Sequence, residues 1–108
     1  MTKSDDARTA LNQAQCLLEE VTCDIDRFDE TLSWLAMAID RVHRLDEYHR
    51  GPGQADLEAV LAADPAAVTP AVAGEDAVWE CVTEFDERML RLLRVVTARV
   101  TAAVDDPA

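Results

Sequence analysis

The chain has 108 residues, room for one domain, and about half of them (49%) are apolar, which excludes a disordered polymer. Twenty-two acidic residues against ten basic ones leave a net charge of −12, which excludes direct binding to a phosphate backbone or an anionic membrane surface. Aromatic residues are 5% and glycines number 3, a helical composition and not a sheet composition.

The opening "MTKSDDARTA" carries no apolar core of the signal-peptide kind, and the expected setting is cytoplasmic. Ser4 is placed to cap a helix, with Asp5 and Asp6 in the first turn, where the helix dipole favours negative charge. No proline or glycine follows until Gly51-Pro52-Gly53. Over that distance two apolar series alternate at spacings of three and four. One is Leu11, Leu18, Ile25, Leu32 and Ile39; the other is Ala14, Val21, Phe28, Leu35 and Val42. This heptad pattern predicts one helix over residues ~5–49. A helix of that length is not stable alone in water and needs cover along most of its length. Cys16 and Cys23 lie two turns apart on it, roughly 10 Å, too far for a disulfide. With Cys81 they make an odd, sparse set, expected as free thiols.

A short helix over ~54–63 follows, with Leu57, Val60 and Leu61 inward, inside a linker spanning ~50–74. Asp64-Pro65 and Thr69-Pro70 each read as a cap before a proline at a first helical position. The last helix is expected over ~72–104, with Val78, Val82, Phe85, Met89, Leu92 and Val96 on one stripe, continued by Leu93, Val100 and Val104. Residues 1–4 and 105–108 read as frayed ends of one all-α domain, an antiparallel helical hairpin that dimerises into a four-helix-type bundle.

Charge chooses the orientation. The first helix is acidic in its middle and basic at its end; the last is acidic at its start and basic later. Folding back at the linker sets Arg41 and Arg44 level with Glu84 and Glu80, and Arg94 and Arg99 level with Asp29 and Asp26. Each exposed pair is worth about 0.2–1 kcal/mol, so their effect is on register more than on stability.

With Leu11 at heptad position a, Trp34 falls at c, while Met37 shares the f stripe with Cys16 and Cys23. A hairpin alone leaves Trp34 and Met37 in water, although burying a large apolar side chain is worth roughly 1.5–3 kcal/mol. Trp34, Met37, Ala38 and Cys23 are therefore the expected interaction surface, for a second copy of the chain or for a basic or helical protein partner.

Chemistry-bearing clusters are sparse. Asp40-x-x-His43 and Asp46-x-x-His49 have the spacing of metal half-sites, near Glu80, Cys81 and Glu84 in the hairpin. The two histidines are six residues apart and point in different directions, so the expected assignment is no metal and no cofactor. "IDRFDETL", residues 25–32, resembles the Ile-Asp-x-x-Asp-x-x-Leu stretch in the first helix of AroQ-type chorismate mutases. That resemblance implies a long–short–long helix order and an intertwined dimer. The arginines with which that family grips its dicarboxylate substrate fall here on Thr22 and Ile39, and only Arg50 keeps a cation. The expected function is a non-enzymatic interaction module, an adaptor or regulator. The alternatives are a nucleic-acid mimic that binds a basic protein and a chorismate-mutase-like or metal-binding enzyme.

Overall fold

The computed structural model describes residues 2–105. Of the ends expected to fray, 1–4 and 105–108, Met1 and 106–108 lie outside the described residues, while Lys3 and Ser4 belong to the first helix and Asp105 to the last. The architecture is all-α in the expected order of long, short and long helices. By contacts the chain forms two compact units, Met1–Ile39 and Asp40–Ala108. The division falls inside the first helix and not in the 50–74 linker.

Helix α1 runs Lys3–Arg50, 48 residues or roughly 72 Å at the standard rise. Its cap is Thr2 and not Ser4: the Thr2 hydroxyl accepts the Asp5 amide at 3.2 Å, and the first helical bond runs from the Asp6 amide to the Thr2 carbonyl. Both residue types satisfy an orphan amide equally well. The threonines along α1 would weaken it by competing for backbone groups. Thr9, Thr22 and Thr31 instead bend their hydroxyls back to carbonyls four residues earlier, at 3.0, 2.8 and 2.9 Å. The helix ends at Gly51, whose amide is shared between the Glu47 and Tyr48 carbonyls.

Helix α2, Pro52–Ala63, starts at once, with Pro52 in the first turn where its missing amide costs nothing. Asp64 closes it through an amide bond to the Val60 carbonyl. Its carboxylate and carbonyl then take the amides of Ala66 and Ala67. The Asp64-Pro65 pair thus makes a β-turn and not a helical turn, as aspartate followed by proline favours. Thr69-Pro70 does lead into a helical turn, the 3-10 segment Ala71–Ala73, which closes on the Gly74 amide. Helix α3 spans Glu75–Asp105, with Glu75 and Asp76 in its first turn.

Only Ala38 and Val78 are buried among the described residues. In the first unit, Leu35 and Ile39 are half-buried beside Ala38. In the second, Val42, Leu45 and His49 of α1, Val72 before α3, and Val82, Phe85 and Met89 of α3 are half-buried. Everything from Lys3 to Leu32, and from Leu90 to Val104, is exposed.

Candidate interaction surfaces

The first unit is one amphipathic helix. The heptad seam that demands cover is open along most of it: Leu11 is 71% exposed, Phe28 61% and Leu32 52%. A shallow groove of about 290 Å³ lies on this face, formed by Val21, Ile25 and Phe28 and flanked by Asp24 and Asp29. The residues expected to need cover are bare too: Trp34 at 54% and Met37 at 56%, with the Cys23 thiol exposed and free. Ala38 departs from expectation. At 5% exposure it is buried and offers no surface to a partner. Trp34, one turn before Ala38 on nearly the same face, and Met37, about 100° round from it, stay exposed. The bare surface of this helix therefore has two sides, the open seam and, turned away from it at heptad positions c and f, Trp34 and Met37.

The second unit holds a corner. The end of α1, α2 and the 68–73 segment enclose a cleft of about 220 Å³, lined by Tyr48, Leu57, Val60, Val68, Pro70 and Val72 among others. At its edge the Tyr48 hydroxyl donates to the Asp56 carboxylate at 2.7 Å. That bond, with slight desolvation and the Asp56 charge, holds the Tyr48 pKa above its ordinary 10.0. Gly53 lets α2 turn back against α1: a Cβ there would sit 2.9 Å from the Tyr48 carbonyl oxygen and 3.2 Å from its ring. Sequence reading treated this glycine only as a helix stop. Its flanking of Pro52, five residues after a tyrosine, was the available signal for a close approach.

A second, wider cleft in this unit is lined by Asp46, His49 and Arg50 of α1 and by Asp76, Val78, Trp79 and Val82 of α3. The carboxylates of the two metal half-site motifs face arginines instead of histidines. Arg44 pairs with Asp40, and Arg50 with Asp46, each at 3.1 Å. Among the described residues no three His, Cys, Asp or Glu side chains gather as a metal site would need. Both ion pairs among the described residues lie within α1. An i,i+4 partner is held at the right distance by the helix itself, with the acid on the N-terminal side as the dipole prefers. Glu84 offers its carbonyl to Arg88.

No helix among the described residues is long and apolar enough to cross a membrane. No protein-family model, curated protein or solved structure matches this chain.

Proposed function

We propose that the chain is a non-enzymatic interaction module, an adaptor or regulator that works by laying open apolar helix faces against other helices. The observation that carries this reading is the bare seam from Leu11 to Leu32, with Trp34 and Met37 bare on another side of the same helix. A helix of this length is not self-supporting in water, and large exposed apolar side chains on one face mark a surface that is covered in use. Its partners are helical proteins, a second copy of this chain among them, and it binds neither nucleic acid nor membrane directly. A cytoplasmic setting, where three exposed thiols stay reduced, suits the reading.

Size-exclusion chromatography with light scattering tests it. Trp34→Ala and Met37→Glu are expected to lower the mass of the wild-type assembly, or to release a captured partner. Variants that keep the wild-type mass and every partner contact contradict the reading.

The run of exposed carboxylates from Asp5 to Glu30 supports a second reading, a mimic of nucleic acid that occupies a basic protein. Such binding weakens steeply with salt. Affinity for a basic protein that is indifferent to salt excludes it.

A further inference from the structure

We infer that the bare faces of α1 and α3 cover one another between two copies of the chain. Residues 11–32 of α1 take the partner's α3 segment 88–104, and the partner's α1 takes the same segment of this chain. The inference rests on the association reading above and names its partner.

Three observations meet here. First, both segments are uncovered: every residue from 11 to 32 and from 90 to 104 is exposed. Second, their apolar patterns match in period. The α1 groove of Val21, Ile25 and Phe28 advances by fours and threes, and so does the α3 stripe Leu93, Val96, Val100 and Val104. Their lengths are comparable, roughly 33 Å and 26 Å at the standard rise. Third, their charges are opposite. Residues 11–32 carry six carboxylates and one arginine, and Asp24 and Asp29 stand on the rims of the groove. Residues 88–104 carry four arginines and no carboxylate.

Pairings of like faces between two copies fail on charge. Two α1 seams set acid against acid; in a parallel, in-register pair Asp24 meets the partner's Asp29. Two α3 stripes set four arginines against four. The reciprocal α1–α3 arrangement places opposite charges together at both contacts and closes as a two-fold dimer. The area is sufficient. Six large seam residues on α1 and four on α3, buried at both contacts, remove on the order of 1,200–2,400 Å² from water. A stable complex needs about 1,200–2,000 Å². The pairs Arg94–Asp29 and Arg99–Asp26, expected within one chain, then form between two.

Charge reversal and mixing test this. One full-length variant carries Asp26→Arg and Asp29→Arg; the other carries Arg94→Glu and Arg99→Glu. All four positions are exposed, so neither change disturbs a buried group. Each variant alone is expected to self-associate roughly ten- to a thousand-fold more weakly than wild type, read by light scattering at low salt. An equimolar mixture is expected to recover the wild-type mass, because both contacts of the mixed dimer again join opposite charges. A chain with all four reversals is expected to assemble with itself and not with wild type, which separates charge matching from misfolding. Variants that assemble as wild type does, a mixture that recovers nothing, or a four-fold variant that stays apart each overturn the inference. So does a wild-type chain that stays monomeric, yet that result leaves the wider reading standing if Trp34→Ala or Met37→Glu still releases a foreign partner.

Discussion

Helix α1 carries one heptad pattern from Leu11 to Val42, yet its two halves have different fates. From Leu11 to Leu32 the seam is bare, while from Leu35 to Leu45 the same seam positions are half-buried, around a buried Ala38. An apolar period says which face of a helix must be covered and does not say by what. Where cover is present in the chain, the side chain contributes to folding; where it is absent, the same residue type is left exposed, open to cover by another surface.

The contrast is broken most severely at Val78, which is 4% exposed. Val78→Asp places an unpaired carboxylate among apolar neighbours, a cost of several kcal/mol. It is expected to unfold the second unit at any protein concentration, seen as lost helical circular dichroism. Phe28→Glu, on the bare seam, is expected to act only through association. Each copy forgoes roughly 1.5–3 kcal/mol of apolar burial. The measurement is a dilution series by light scattering, and the dissociation constant should rise at least ten-fold. A Phe28→Glu chain that unfolds as the Val78→Asp chain does erases the distinction between the halves.

Smaller changes sharpen the comparison at the corner of the second unit. Gly53→Ala forces a methyl to 2.9 Å from the Tyr48 carbonyl oxygen, so α2 must shift. Overpacking of this kind costs about 1–3 kcal/mol; denaturant unfolding of the monomer should show it, and the dimer dissociation constant should not change. The smallest effect is expected at Tyr48. Its pKa is raised in the folded chain by the bond to Asp56. A raised folded value means the protonated phenol is favoured by folding, so the contribution is complete below the unfolded value of 10.0 and is lost as pH rises through it. Thermal melts above and below pH 10 should show a small extra loss in wild type that Tyr48→Phe lacks.

The three helices were legible because their signals are local. An uninterrupted 3–4 spacing across thirty-two positions from Leu11 to Val42, a Gly-Pro-Gly stop and a Thr-Pro restart leave little freedom, and boundaries moved by a few residues at most. The cap is Thr2 and not Ser4, since either hydroxyl can accept an amide two or three residues further on. Arg44 and Arg50 pair within α1 for a physical reason that their spacing carries. Asp40 and Asp46 already stood four residues before Arg44 and Arg50, and a partner on the same helix needs no second element to be ordered beside it. Ala38 lies one turn from Trp34 on nearly the same face, and the sequence alone does not tell that the alanine is buried while the indole stays exposed. The Tyr48–Asp56 bond was not legible, since it depends on how tightly two helices meet at Gly53.

The central claim is that the seam from Leu11 to Leu32 is covered by a second copy when the chain is at work. Amide hydrogen exchange of the full chain, followed across a hundred-fold dilution, tests it most directly. Amides 11–32 and 90–104 should be protected together at high concentration and lose that protection together on dilution, while those around Val78 hold theirs. Exchange in 11–32 that is fast at every concentration, or slow at every concentration, contradicts it.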